Sequence, residues 1–172
     1  MATDPLAQET QLREDLEKIA GQEAALVFAH FDAGTAWLLG CALRDAALAR
    51  GVAVTIDIRR GEDILFFHAM DGTTPANADW ARRKRNTVDL VRRSSYAVGL
   101  EGRLEGHTVL ESMALPPRDY AWAGGCFPLQ VRGAGHIGTV TVSGLPQRED
   151  HGMVVAALAR LLDLDPGPLM LA

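Results

Sequence analysis

Residues 124–151 read GGCFPLQVRGAGHIGTVTVSGLPQREDH, and this stretch decides the fold. It holds two short runs rich in apolar residues, Cys126–Val131 and His136–Ser143, which are separated by the glycine-rich segment 132–135. Two such runs joined by a tight turn predict an antiparallel β-hairpin. The polar residues that follow precede apolar positions at helical spacing, so a helix over 147–162 is predicted to come after the hairpin.

The chain upstream predicts the same kinds of element. Helices are predicted over 5–21, 32–50 and 76–93, a strand over 24–31, a hairpin over 52–58 and 64–70, and a helical turn over 108–113. Residues 96–100 suit either a strand or a short helix. Tight turns make paired strands antiparallel, and helices must bury their apolar faces. We therefore expect an α/β (α+β) fold of the profilin-like kind, with a central antiparallel sheet and helices on both faces.

Composition narrows the class of protein. The 172 residues suit one domain over 1–172, ending in a C-terminal tail over 163–172. The net charge of −5 argues against a nucleic-acid partner, and no apolar run has the length of a membrane span. The polar N-terminus lacks the features of a signal peptide, and Cys41 and Cys126 are expected to be reduced. These observations predict a cytoplasmic protein.

Metal and nucleotide motifs are not found in the sequence. No Cys/His pair has metal-ligand spacing, and neither a dinucleotide fingerprint nor a phosphate-binding loop is present. No metal site is therefore predicted. Trp37 is expected in the core because of its helical spacing, whereas Trp122 is expected outside it.

A basic run, Arg82-Arg83-Lys84-Arg85, lies within the predicted helix over 76–93. Successive helical residues point about 100° apart, so the four cannot share one face. Arg82 and Arg85, three residues apart, could clamp one anion together. The run could equally be a solvated helix face. Asn77 or Asp79 is the expected cap of this helix.

Two features of the opening stretch have open interpretations. The pair Gly124-Gly125 suits either a turn that leads into a strand or a close approach of backbone to a ligand. His151 follows Glu149 and Asp150, and a neighbouring carboxylate can orient an imidazole for acid–base work or for axial ligation. The same acidic residues suit a helix N-terminus without any site.

Several motifs together carry a family resemblance. They are His30-Phe31-Asp32 with Thr35-Ala36-Trp37, Asp79-Trp80 with Arg82-Arg83-Lys84-Arg85, Gly124-Gly125 with Phe127-Pro128, Ile137-Gly138 with Val142-Ser143-Gly144-Leu145-Pro146-Gln147, and Asp150-His151. In these motifs the chain resembles the heme-degrading domain-like family, whose relatives include GlcG, HbpS and the C-terminal domain of PduO. It is most similar to the small cytosolic branch of that family.

The resemblance implies a profilin-like fold, a homo-oligomer and possible heme binding. It also implies a ligand pocket that combines Trp80, Arg83, Lys84, Gly124, Gly125, Phe127 and His151. Three hypotheses follow. The leading one is an oligomeric protein that binds heme or a small anionic ligand. The alternatives are an enzyme acting on a small organic acid or phosphate compound, with His151 as the candidate catalytic residue, and an interaction scaffold without a ligand.

Overall fold

The computed structural model describes residues 5–172 as six helices, five strands and one short 3-10 helix. The first four residues of the polar N-terminal segment lie outside the described residues. In chain order the elements are α1 (Pro5–Ala25), β1 (Val27–Phe28), α2 (Ala33–Ala49), β2 (Thr55–Arg60), β3 (Asp63–Ala69), α3 (Pro75–Val91), α4 (Ser95–Glu105), α5 (Val109–Ser112), β4 (Cys126–Val131), β5 (Gly135–Ser143), α6 (Gln147–Leu161) and the 3-10 helix (Gly167–Leu169).

The strands form one sheet in the order β1-β4-β5-β2-β3. β2 pairs with β3, and β4 with β5, as the antiparallel hairpins expected from the sequence. β5 and β2 join the two hairpins, again antiparallel, while β1 adds to β4 as a short parallel strand. The expected α/β fold class, with helices on both sides of the sheet, is confirmed.

The two faces of the sheet differ in chemistry. The face under α2 and α6 is apolar, and Ile56, Val140 and Leu158 belong to its core. The face under α3 carries Asp57 and Thr141, which lie opposite each other on neighbouring strands. Adjacent residues of a strand point to opposite faces of the sheet. The valines of β5 therefore face the apolar side, and its threonines face the side under α3. Candidate chemistry is therefore concentrated on the α3 side.

A smaller cluster joins α1 to α4 at one end of the sheet. Ile19 of α1 packs with Tyr96, Ala97 and Leu100 of α4. The C-terminal residues dock here too, because Gln22 of α1 donates a hydrogen bond from Nε2 to the Leu169 carbonyl. The segment 163–172 is thus held against the body of the protein through side chains of α1.

Several predicted boundaries were wrong. α1 continues through Gly21 to Ala25, which leaves only two residues of the predicted 24–31 strand as β1. Residues 96–100, for which the sequence allows either a strand or a short helix, belong to a helix. The cap of α3 is Thr74, whose backbone N–H donates to Asn77 Oδ1 at 2.9 Å, so Asn77 is the reciprocal member of a capping box. No helix among residues 5–172 is both long and apolar enough to cross a membrane.

Trp37 was also placed wrongly, because its side chain is 62% exposed. Its ring packs edge-to-face with that of Phe66, with ring centroids 5.8 Å apart. Helical spacing identifies a stripe of apolar residues but does not say which part of the stripe the sheet covers.

Candidate functional site

A cleft opens between α3, the segment 121–123 and residues 143–150, which lead from the end of β5 into α6. It consists of two adjoining cavities of about 260 and 220 Å³, which share Trp80, Ala123 and Gln147. We call this pair of cavities the central cleft. Its polar and aromatic lining residues are Asn77, Trp80, Arg83, Lys84, Arg103, Trp122, Ser143, Gln147 and Asp150.

One wall of the central cleft is cationic. The guanidinium carbon of Arg83 lies 4.3 Å from the centroid of the Trp80 ring, which is a cation–π contact. Arg83 donates from Nη2 to the Tyr120 carbonyl at 3.5 Å, but its buried Nε has no hydrogen-bond partner within the described structure. Arg103 of α4 also reaches this wall and forms no ion pair with any residue of 5–172. Two guanidinium groups are therefore available to an anion.

The floor of the cleft is a buried ion pair. Lys84 donates from Nζ to Asp150 Oδ2 at 2.9 Å and to the Val142 carbonyl at 3.1 Å. Asp150 also accepts hydrogen bonds from the backbone N–H groups of Leu145 (3.0 Å) and Gly144 (3.4 Å). Burial raises the pKa of Asp150 against the opposing effect of Lys84. The pair connects α3, the end of β5 and the first turn of α6.

The glycine pair explains how these elements approach so closely. A Cβ on Gly124 would lie 2.3 Å from the Gln147 carbonyl oxygen, and one on Gly125 would lie 2.8 Å from Lys84 Nζ. Gly125 also has φ = +121°, a conformation that favours glycine. The close approach is therefore to the protein's own backbone and ion pair. The glycine pair therefore forms the turn into β4 and also lets Lys84 and Asp150 pack beside it.

The structure brings together part of the predicted pocket. Trp80, Arg83 and Lys84 line the central cleft, and Gly124 and Gly125 lie against its floor.

Phe127 and His151 do not join the cleft. Phe127 belongs to the apolar core on the other face of the sheet, and His151 lies 6.0 Å from it, centroid to centroid. Both side chains are 1% exposed, and neither lines the central cleft. The reason is strand alternation: within β4, Phe127 points away from the face that Cys126 and Pro128 share.

His151 is part of a structural hydrogen-bond relay. Its Nε2–H donates to Gln22 Oε1 at 2.8 Å, and Gln22 passes the relay to the Leu169 carbonyl. Burial, and then the nearby Arg148 guanidinium, lower the pKa of His151 to about 3. Such an imidazole stays neutral at physiological pH and cannot reach a ligand in the cleft. The structure therefore does not place it as a base or an axial ligand.

The predicted anion clamp is also corrected. Arg82 is paired with Asp79 and Asp119, whereas Arg85 is paired with Asp57 beneath the helix. The two arginines bind different carboxylates and are already neutralised. Of the three arginines in this run, Arg83 alone forms no ion pair with a residue of the described chain, 5–172.

Heme does not fit the residues of the central cleft. None of its lining residues is His, Met, Cys or Tyr, the side chains that ligate heme iron in proteins. Among residues 5–172, no cluster of three or more His, Cys, Asp or Glu side chains is arranged to hold a metal ion.

Sequence reasoning missed Arg103, Gln147 and Asp150 as cleft residues. The position of Asp150 could have indicated its role. An acidic residue in the first turn of a helix, after a Gly-Leu-Pro turn, is placed to accept hydrogen bonds from backbone N–H groups. The sequence offered no such indication for Arg103, because residues 96–100 of the same element suit either a strand or a helix.

Comparison with known proteins identifies the family. The family model described as "Haem degrading protein HbpS-like" matches residues 31–159. A UPF0303 protein of Azotobacter vinelandii is 56% identical over 152 residues, covering 88% of this chain and 92% of the relative.

Two solved structures share the fold. Ybr137w has a TM-score of 0.78 at 28% identity, covering 86% of this chain and 87% of that one. A PduOC–heme complex has a TM-score of 0.64 at 19% identity, covering 75% and 93% respectively. The chain belongs to the HbpS-like family.

Proposed function

We propose that this protein binds a small organic anion, a carboxylate or a phosphate compound, in the central cleft. The observation that carries the proposal is Arg83: it lines the cleft, its guanidinium carbon lies 4.3 Å from the centroid of the Trp80 ring, and it forms no ion pair with any residue of 5–172. An arginine that lines a cavity and has no acidic partner in the protein can form its ion pair with a ligand. Arginine forks match carboxylate and phosphate oxygens in two-point fashion.

The other lining residues favour an organic anion over an inorganic one. Trp80 and Trp122 supply aromatic surface beside Arg83, and Asn77 and Gln147 supply amide groups that can orient polar substituents. The cavities, about 260 and 220 Å³, suit a metabolite of modest size. The solved structure of PduOC is a complex with heme, but the cleft of this chain lacks an axial ligand for heme iron.

The test is a thermal-shift panel of carboxylates and phosphate compounds, followed by calorimetry of any that bind. A ligand at 100 times its Kd adds about 2.7 kcal/mol of stability. Arg83→Gln should weaken binding about tenfold or more, since a hydrogen bond to a charged group contributes about 1.5–3 kcal/mol. Arg132→Gln, at the exposed hairpin turn, is the matched control and should bind normally.

The proposal fails if no compound of either class stabilises the protein, or if Arg83→Gln binds as tightly as the wild type. A hemin titration followed at the Soret band is a separate arm. A saturable shift there that Arg83→Gln leaves unchanged would favour heme bound elsewhere. If neither arm shows binding, the scaffold hypothesis becomes the better one.

We also propose that the protein is a cytoplasmic homo-oligomer. The cytoplasmic location is supported by the thiols of Cys41 and Cys126, which are both unpaired, as is usual in reducing compartments. Self-association is supported by apolar side chains on the open edge of the sheet, where Ile64 is 59% exposed and Phe67 is 48% exposed.

A further inference from the structure

A primary amine is buried on the floor of the central cleft. Lys84 is 3% exposed and lines the larger of the two cavities. The chain contains fifteen arginines and only two lysines, so a lysine at this position is a departure from its own composition. The difference is chemical: a guanidinium stays protonated in proteins, whereas a buried ammonium can lose its proton and act as a nucleophile.

Asp150 is placed to take that proton. Its Oδ2 is 2.9 Å from Lys84 Nζ, within the range for direct proton transfer. The backbone N–H groups of Gly144 and Leu145 hold the carboxylate in place. Burial raises the pKa of Asp150, which makes the carboxylate a stronger base than one in water. Nucleophile and base thus stand together beside the cleft, with Ser143 and Gln147 on the same cavity wall.

We propose that Lys84 forms a Schiff base with an oxo acid whose carboxylate is bound by Arg83. Asp150 accepts one proton from the Lys84 ammonium, and the neutral amine adds to the ligand's carbonyl carbon to give a carbinolamine. Loss of the carbinolamine hydroxyl as water, with proton return through Asp150, gives the protonated imine. No electrons are gained or lost. This proposal rests on the proposed function, because Lys84 lines the larger cavity of the central cleft and Arg83 lines the smaller cavity that adjoins it.

Reductive trapping tests it on the wild-type protein. The protein is incubated with pyruvate and sodium cyanoborohydride, which reduces an imine to a stable secondary amine, and modified peptides are mapped by mass spectrometry. Lys18 is the internal control because it is the only other lysine and is exposed. We expect Lys84 to be modified at least about tenfold faster than Lys18, since the cleft holds the carbonyl beside the amine. In unfolded protein both should react alike.

Two matched probes separate binding from chemistry. Lactate has the carboxylate but no carbonyl, so it should stabilise the protein thermally and slow labelling of Lys84. Pyruvamide has the carbonyl but no charge, so it should label Lys84 weakly. Asp150→Asn should slow labelling of Lys84 by pyruvate, and circular dichroism checks that the variant is folded. Arg83→Gln should slow labelling by pyruvate but not by pyruvamide.

The outcomes are distinguishable. If pyruvate and lactate both stabilise the protein but Lys84 is labelled no faster than Lys18, the Schiff base is overturned while anion binding stands, and the ion pair only joins α3 to α6. The Schiff base is likewise overturned if phenylpyruvate and 2-oxobutyrate bind but do not label Lys84. If no carboxylate or phosphate compound stabilises the protein and Lys84 is unlabelled, both proposals fail.

Discussion

Asp150 and His151 are adjacent on α6, yet their side chains serve different environments. Asp150 turns toward Lys84 and the end of β5, whereas His151 turns toward Gln22 of α1 and the ring of Tyr96, 5.2 Å away between centroids. One helical step of about 100° is enough to separate them. Because His151 is neutral when folded and burial lowers its pKa to about 3, protonation must oppose folding.

This predicts an acid-sensitive contribution from one residue. The ordinary pKa of histidine is 6.5, so below this pH the unfolded chain binds a proton at His151. The folded chain does not bind that proton until about pH 3. Stability from this residue is therefore complete above 6.5 and falls as the pH drops, by up to about tenfold in the unfolding equilibrium per pH unit. His151→Gln, which keeps an N–H donor for Gln22, should lose less stability than the wild type between about pH 7 and 5. Urea unfolding at both pH values measures this, and equal losses would contradict it.

The sequence could not reveal this partnership of His151. Its sequence neighbours are charged, which indicates a surface, but its hydrogen-bond partner is Gln22 of α1, which in turn donates to the Leu169 carbonyl of the C-terminal segment. Trp80, Arg83 and Lys84 were predicted as site residues by resemblance, and they do line one cleft. The sequence could not show that the neighbouring Arg82 differs from these site residues. Arg82 is held in an ion pair by Asp119, which is distant in sequence.

At the scale of elements, the hairpins were predictable and β1 was not. Each hairpin is specified by local alternation and a turn, so 126–131 and 135–143 follow directly from residue order. β1 depends on pairing with β4, about a hundred residues later, and on where α1 ends. α4 was ambiguous for the same reason, since its burial against Ile19 of α1 decides its form.

The junction of β4, β5 and α6 depends on one glycine. A side chain at Gly125 would meet the Val142 carbonyl oxygen at 2.4 Å and Asp150 Cβ at 2.8 Å, in a backbone conformation that L-residues rarely adopt. Gly125→Ala should therefore cost roughly 2–5 kcal/mol in unfolding free energy, from strain and overpacking together. Gly133→Ala has φ = +81° but open space, so it should cost only about 1–2 kcal/mol. Chemical denaturation compares them, and equal costs would mean that the junction is not tightly packed.

At the scale of the whole molecule, the two edges of the sheet differ. β1 ends one edge with only two residues, whereas β3 leaves seven residues along the other. β3 carries no lysine or proline, the residues that usually protect an open edge from pairing. Trp37 of α2, packed edge-on against Phe66, extends the apolar surface around this edge. These features suit an isologous contact in which a second copy pairs its own β3 antiparallel to the first.

Charge on this edge should therefore weaken the proposed self-association. Phe67→Lys and Ile64→Lys place a cation on an exposed strand position that the second copy would cover, and each should weaken self-association about tenfold or more. Met113→Lys is the control, because Met113 is similarly exposed (48%) but follows α5, outside the sheet. Sedimentation velocity over a range of concentrations gives the mass of each variant, while circular dichroism checks its fold. If the wild type is monomeric at every concentration, the proposed self-association is wrong. If the edge variants keep the mass of a wild-type oligomer, the contact does not involve β3. If the edge variants are monomers that still bind lactate, the central cleft is complete within one chain.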